Sequence, residues 1–115
     1  MTDSISIKIR LHTEDAVALG PGKADLLEAI SNHGSISAAG RAMGMSYKRA
    51  WDLVNTMNIS FAKPLVTTAK GGARGGGAEV TPFGQTILSA YREVEQKAHE
   101  ATAADLSKLL SMLHS

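Results

Sequence analysis

Apolar and polar side chains alternate along the first dozen residues of the chain. The apolar residues are Ile5, Ile7, Ile9 and Leu11, and the polar residues that alternate with them are Ser6, Lys8, Arg10 and His12. Successive side chains of a β-strand point to opposite faces, so this period of two predicts a strand over residues 5–12 with one buried face. The pattern does not indicate which segment pairs with the strand.

A helical period replaces the alternation after residue 20. Apolar residues on one face predict a first helix over about residues 23–32, through Leu26, Leu27 and Ile30. Residues 20–22 read Gly-Pro-Gly and predict a turn before this helix, and Gly34 is placed to end it.

Two further helices with a tight turn between them are predicted next. Ser35 or Ser37 caps the first, which is short and ends at Gly44. Ser46 caps the second, which runs to about Phe61. This is the helix-turn-helix pattern, whose second helix enters the major groove of DNA with its first residues toward the base edges.

The second of these helices has two chemically different faces. Its predicted core face carries Ala50, Val54 and Met57. The opposite face carries hydrogen-bonding and aromatic side chains, which are Tyr47, Lys48, Trp51, Asp52 and Asn55. Trp51 has two interpretations, a packing anchor and a stacking contact at DNA, and a single tryptophan in a small helical domain favours the anchor. Tyr47 and Lys48 lie in the first turn, where side chains reach phosphates or bases.

A basic, glycine-rich hairpin is predicted over residues 65–81. Two short strands, residues 65–68 and 78–81, flank a tip that holds five of the chain's eleven glycines. Because glycine permits close backbone approach, Lys70 and Arg74 are placed to contact a DNA backbone or a minor groove. A nucleotide-phosphate loop is the competing interpretation, but the tip lacks the Gly-x-x-x-x-Gly-Lys-Ser/Thr pattern.

A long amphipathic helix is predicted over residues 82–115. Thr81 and Pro82 suit its cap and its first position. Apolar side chains then recur every three or four residues, at Phe83, Ile87, Ala90, Tyr91, Val94, Ala98 and Ala101. This stripe is too long for a small domain to bury. Part of it is therefore predicted to pack on a second copy of the chain, through Ile87, Tyr91, Val94 and Ala98. Asp105 interrupts the pattern, which leaves open a stutter or a break between two helices.

The charge of the chain is unevenly distributed. The net charge is +1, yet residues 41–77 carry six basic residues against one acidic residue, which leaves −4 for the rest. Such a basic face suits phosphate groups, because each neutralised phosphate releases condensed counterions. Six solvated surface charges are the competing interpretation of the same composition.

Composition excludes several other classes of protein. The 115 residues, 43% of them hydrophobic, predict one folded domain. No apolar stretch is long enough to span a membrane and no signal peptide begins the chain, so a cytoplasmic location is predicted. The chain has no cysteine, and its four histidines lack ligand-like spacing with carboxylates. Neither a metal site, a cofactor site nor a catalytic constellation is predicted, and the chain is not expected to be an enzyme.

Four short stretches of the chain carry a resemblance as a set. Residues 34–37 read Gly-Ser-Ile-Ser, residues 45–51 Met-Ser-Tyr-Lys-Arg-Ala-Trp, residues 71–77 Gly-Gly-Ala-Arg-Gly-Gly-Gly, and residues 81–84 Thr-Pro-Phe-Gly. Together they resemble the amino-terminal DNA-binding domain of the ModE family of molybdate-responsive transcription regulators, over about residues 20–92. The helix-turn-helix outline alone is shared with LysR-type regulators. The resemblance implies a mainly α fold, a winged helix-turn-helix with a small β-hairpin wing and a long C-terminal dimerisation helix.

Residue pattern and resemblance together predict a sequence-specific transcription regulator that binds double-stranded DNA as a homodimer. Residues 1–81 are assigned to the DNA-binding domain and residues 82–115 to dimerisation. The predicted DNA contacts are Ser35, Ser46, Tyr47, Lys48, Arg49, Asp52, Lys70 and Arg74. In the ModE family, oxyanion-binding modules follow this domain, and the chain ends at Ser115, so it is not expected to bind molybdate by itself. A winged-helix accessory protein that binds another protein is the alternative function.

Overall fold

The computed structural model describes residues 3–69 and 77–114 as a mainly α-helical fold with two antiparallel hairpins. Its elements in chain order are β1 (Leu11–His12), β2 (Val17–Leu19), α1 (Pro21–His33), α2 (Ile36–Ala42), α3 (Tyr47–Ser60), β3 (Val66–Ala69), β4 (Gly77–Val80) and α4 (Pro82–Ser111). The predicted winged helix-turn-helix is confirmed. Helices α2 and α3 form the helix-turn-helix, the β3–β4 hairpin forms the wing, and α4 is the long C-terminal helix.

The amino-terminal strand is much shorter than the sequence pattern predicts. Only residues 11–12 form a ladder, antiparallel to β2, and the register shifts between Leu11 and His12. Backbone groups in a strand need hydrogen-bonding partners, and β2 offers only three residues. The predicted strand over residues 5–12 is therefore wrong in extent, and Leu11, expected on its buried face, is 52% exposed.

A side chain of α4 holds the segment before β1 in place. The hydroxyl of Tyr91 donates a hydrogen bond to the carbonyl oxygen of Ile9 at 2.7 Å. The Ile9 side chain packs against the hydrophobic core from the edge. A side-chain hydrogen bond and apolar packing thus help to hold the chain ahead of β1.

Helix α1 begins earlier than predicted, because the expected Gly-Pro-Gly turn forms its start. Pro21 occupies the first helical position, where its missing amide hydrogen costs nothing. The predicted stop is confirmed at Gly34, whose φ of 74° allows its amide to donate to the carbonyl of Ile30.

The two helices of the helix-turn-helix are capped by serines. The Ser35 hydroxyl accepts from the amide of Ala38 at 2.9 Å, so Ser35 rather than Ser37 is the cap of α2. Ser46 accepts from the amide of Arg49 at 3.1 Å and caps α3, as predicted. Between them, Gly44 adopts a φ of 69°, which lets the chain turn sharply.

The core lies among α1, α2, α3 and the first half of α4. Its largest fully buried side chains are Leu26, Leu27, Ile30, Val54, Met57 and Leu65. The predicted core face of α3 is confirmed, since Ala50, Val54 and Met57 are all buried. Among the described residues, no buried side-chain nitrogen or oxygen lacks a hydrogen-bond partner.

Helix α4 is continuous past Asp105 and ends at Ser111, which resolves the question that the sequence left open. Asp105 is exposed and leaves the helical hydrogen bonds intact. Arg92 fastens the first half of α4 to α1, because its guanidinium lies 2.8 Å from an Asp25 carboxylate oxygen and 3.2 Å from one of Glu28.

No helix within residues 3–69 or 77–114 is both long enough and apolar enough to cross a membrane.

Candidate nucleic-acid interface

The outward face of α3 exposes the side chains predicted to meet DNA. Tyr47, Lys48, Asp52 and Asn55 are exposed and lie on one face of the helix, from its first residue to Asn55. Trp51 is half-buried and packs against the core, which supports the anchor interpretation. The Tyr47 and Trp51 rings meet edge to face with centroids 6.2 Å apart, so Trp51 positions the exposed tyrosine.

Lys48 and Asp52 form an ion pair on this face. The Lys48 ammonium lies 3.0 Å from a carboxylate oxygen of Asp52, and the Lys48 side chain is 85% exposed. Exposed pairs of this kind contribute about 1 kcal/mol or less, so water or a nucleic-acid group can replace either partner. In contact with DNA, a lysine suits guanine or phosphate oxygens and an aspartate suits the amino group of cytosine.

The two serines among the predicted contacts are committed to helix caps. The Ser46 hydroxyl is exposed and that of Ser35 is half-buried. Each accepts one backbone amide and keeps its own proton for donation. Either can therefore donate to a phosphate oxygen without losing its cap. Arg49, also exposed, lies on the flank of α3 rather than at the centre of its outward face.

The wing is attached to the helices at several points. The Ala78 amide donates to the carbonyl of Gly34, at the corner between α1 and α2. At the other end, the Thr81 hydroxyl donates to the Pro64 carbonyl at 2.8 Å and accepts from the amide of Gly84. A Cβ at Gly84 would stand 2.3 Å from the Leu65 carbonyl oxygen, so glycine is needed for this contact between α4 and the start of the wing. Lys70 and Arg74, the predicted contacts of the wing tip, lie outside the described residues.

Asn58 joins α3 to the wing, a role that the sequence pattern does not predict. Its side-chain oxygen accepts from the amides of Leu65 and Val66, and its side-chain nitrogen donates to the Val66 carbonyl at 3.0 Å. Asn58 therefore ties α3 directly to the start of the wing. The available signal was an asparagine within an otherwise regular helix, since asparagine competes with helix formation by hydrogen-bonding to backbone groups.

The residues predicted to form a dimer interface divide into two groups. Ile87, Tyr91 and Val94 line an apolar cleft of about 220 Å³ with the amino-terminal segment, while Ala98 lies farther along α4 and is half-buried. Val94 is 50% exposed and available to a second copy. Tyr91 is only 6% exposed and packs in the hydrophobic core, so its role in a dimer interface stays a prediction.

In the part of the chain that the structure describes, no three histidine, aspartate or glutamate side chains converge in a way that would hold a metal ion.

Curated relatives match most of this chain. The molybdenum transport protein ModE of Azotobacter vinelandii is 34% identical, over 94% of this chain and 44% of its own length. The molybdenum-pterin-binding protein MopB of Rhodobacter capsulatus is 47% identical over 81% of this chain and 32% of its own length. The DNA-binding transcriptional dual regulator ModE of Escherichia coli K12 is 36% identical over 86% and 39%. The chain thus spans less than half the length of these relatives. No family model matches it.

Solved structures confirm the fold. The DNA-binding domain of CbnR in complex with DNA superposes with a TM-score of 0.58 at 16% identity, over 76% of this chain and 95% of that one. Full-length LysG from Corynebacterium glutamicum with bound arginine gives a TM-score of 0.57 at 24% identity, over 83% of this chain and 30% of that one.

Proposed function

We propose that this chain binds specific sites on double-stranded DNA and regulates transcription. The proposal starts from its similarity in sequence to ModE regulators and in fold to the DNA-binding domains of LysR-type regulators. One observation carries the proposal. The first two turns of α3 expose a row of hydrogen-bonding side chains, while the opposite side of the same helix is fixed in the core. A rigid helix with an exposed polar face matches the way such a motif reads the major groove.

We assign direct base contacts to Tyr47, Lys48 and Asp52 on the outward face of α3. Ser35, Ser46 and Arg49 are assigned to phosphates, because they lie at helix starts or on the flank of α3. Lys70 and Arg74 of the wing are also assigned to phosphates, on the grounds of sequence alone. Residues 1–81 act as the DNA-binding unit and the helix after them as the dimerisation unit. The test of each role is whether its loss alters sequence discrimination or only affinity.

The experiment starts with selection of bound fragments from genomic DNA by the purified protein. Lys48→Ala is expected to weaken binding to the selected site by about 1–3 kcal/mol and to reduce the preference of the protein for that site over random DNA. Arg74→Ala is expected to weaken selected and random DNA alike, and Lys108→Ala, on the distal part of α4, serves as the matched control. If no fragment is retained at low salt, the proposal fails, and the accessory-protein interpretation gains support.

We propose further that two copies assemble through α4, with Val94 and the apolar residues of its distal turns in the interface. The chain exposes 7770 Å², whereas a monomer of 12.1 kDa is expected to expose about 6,000 Å². The excess of about 1,700 Å² for each chain is more than the roughly 800 Å² that each partner of a standard-size interface buries. A dimer would also place two α3 helices about 34 Å apart on a pseudo-palindromic site.

We also propose that this chain does not bind molybdate by itself. A selective site for a tetrahedral oxyanion needs converging amide and cationic donors in a closed cradle. Calorimetry with molybdate is the measurement, and saturable binding at micromolar concentration would contradict this part of the proposal.

A further inference from the structure

Four basic side chains line a cleft beside α3. Lys8 and Arg10 come from the segment before β1, Lys23 comes from the first turn of α1, and Arg49 comes from α3. The cleft is open to solvent and has a volume of about 350 Å³. Gly20 lies against the stem of Arg10, since a Cβ there would stand 3.2 Å from Arg10 Cγ. Residues distant in sequence therefore bring their positive charges to one place.

These charges have no acidic partners in the described residues. Lys8, Arg10, Lys23 and Arg49 take part in none of the ion pairs found there, and no acidic residue lines the cleft. The Lys23 ammonium donates to the Val17 carbonyl, which carries no full charge. Burial and then the charge of Arg49 lower the pKa of Lys23 below its ordinary value. The cleft is thus a site of like-charge repulsion that a bound anion would relieve.

The position of the cleft indicates where the anion comes from. Arg49 is the third residue of α3, and it follows Lys48 by one position, or about 100° around the helix axis. A helix lying in the major groove has its centre at the base edges and its flanks near the sugar-phosphate backbones. An open cleft on that flank is accessible to a phosphate that remains part of a polymer.

We infer that Lys8, Arg10, Lys23 and Arg49 form a second DNA contact, which holds phosphates of the strand bordering the groove that α3 enters. This inference rests on the proposed function. It assigns part of DNA binding to the amino-terminal segment, which lies outside both the helix-turn-helix and the wing.

The test uses a Lys8→Gln/Arg10→Gln variant, in which two charges of the cleft are removed from an exposed segment. A Lys97→Gln/Lys108→Gln variant is the matched control, because it lowers the net charge equally on the distal half of α4. Affinity for a mixed-sequence duplex of about 24 base pairs, enough to exceed two helical turns, is measured between 50 and 200 mM salt for both variants and the parent.

Loss of two phosphate contacts makes the slope of log affinity against log salt less steep by about 1.8. Between 50 and 200 mM salt, the cleft variant should therefore lose about 12-fold less affinity than the parent does. This result is expected for the cleft variant, and an unchanged slope is expected for the control. Equal slopes for the parent and the cleft variant, with the parent still binding DNA, overturn the inference and leave the proposed function standing. A parent that binds no duplex overturns both.

A free oxyanion in solution offers the basic cleft the same charged oxygens as a phosphate of DNA. Calorimetric titration of the parent with inorganic phosphate, and separately with molybdate, at constant ionic strength distinguishes the two. Weak, unsaturated heats are expected up to millimolar concentration. Saturable binding of either ion that disappears in the cleft variant, together with an unchanged DNA slope, would assign the cleft to a free oxyanion and overturn the inference.

Discussion

A single side chain, Asn58, links α3 to the wing through three hydrogen bonds. Asn58→Ala is expected to lower the free energy of unfolding by about 2–3 kcal/mol, because two amides and a carbonyl lose their partner near buried residues. Urea unfolding measures the change. DNA affinity should fall as well, since the wing would lose one of its attachments, the one that joins it to α3.

Asn55→Ala is the matched control for stability, since it removes the same side chain from the exposed face of the same helix. Exposed substitutions of this kind change stability by about 0.5 kcal/mol or less. Equal losses of stability in the two variants would show that the hydrogen bonds of Asn58 are not the cause.

Tyr91 makes stability depend on pH at the alkaline end. Burial, and secondly the charge of Glu95, raise the pKa of Tyr91 above its ordinary value. The folded state therefore retains the phenol proton more tightly than the unfolded state does. The contribution is fully present below the unfolded pKa of about 10, and it is lost as the pH rises from there through the folded pKa.

The prediction compares the parent with Tyr91→Phe by urea unfolding at pH 8 and above pH 10. The parent should be the more stable at pH 8, because its hydroxyl bonds to the Ile9 carbonyl. This advantage should shrink as the pH rises. An advantage that stays constant over the range would mean that the hydroxyl is not shielded from solvent. Because Ile9 lies between Lys8 and Arg10, the variant should also bind DNA less tightly.

At the scale of elements, Arg92 determines how α4 docks on the domain. Its guanidinium contacts carboxylates of Asp25, Glu28 and Glu95, and these hydrogen bonds outweigh its burial and raise its pKa. A network around one arginine is stronger than an isolated exposed pair, because each added contact needs no further ordering of the guanidinium. The first half of α4 is therefore fastened to α1 by ion pairs.

Arg92→Met is expected to lower the free energy of unfolding by about 1–2 kcal/mol, with a smaller loss in high salt. Lys97→Met is the control, because Lys97 makes one exposed ion pair with Glu93 on the same helix. Its expected cost is about 0.5 kcal/mol or less. A loss for Arg92→Met that is no larger than that of the control would show that apolar packing alone docks α4.

At the scale of the whole molecule, the chain is elongated and leaves apolar surface uncovered. Its radius of gyration is 16.8 Å, against about 13 Å for a globular chain of this length. The last turn of α4 and the residues after it expose Leu109, Met112 and Leu113. A thirty-residue helix is about 45 Å long, so most of its second half extends beyond the domain.

Val94→Glu is expected to give folded monomers with weak DNA affinity, because it places a charge in the apolar face that a second copy would cover. Sedimentation at micromolar concentration measures the state, and far-ultraviolet circular dichroism checks the fold. Ser89→Glu is the control, since Ser89 is exposed on a different face of α4. A parent that sediments as a monomer would contradict the proposed dimer.

The sequence by itself determined those parts of the fold that depend on neighbouring residues. The caps at Ser46 and Thr81, the stop at Gly34 and the core face of α3 all follow from interactions within about one helical turn. The helix-turn-helix and the exposed face of α3 were predictable for the same reason, because helical spacing alone separates its apolar from its polar side chains. The N-terminal strand was mispredicted because a strand depends on its partner as well as on its own alternation.

Only the tertiary structure decided which distant residues act together. Asn58 reaches the wing, Tyr91 fixes the segment at Ile9, and the charges of Lys8 and Arg10 join those of Lys23 and Arg49. In the sequence, Asn58 is one position of a helix and Tyr91 is one of the apolar residues along α4. Lys8 and Arg10 lie on the polar side of a predicted strand. Contacts between residues far apart in the chain carry no local periodicity, because their energy depends on how separate elements pack and not on the spacing within one of them.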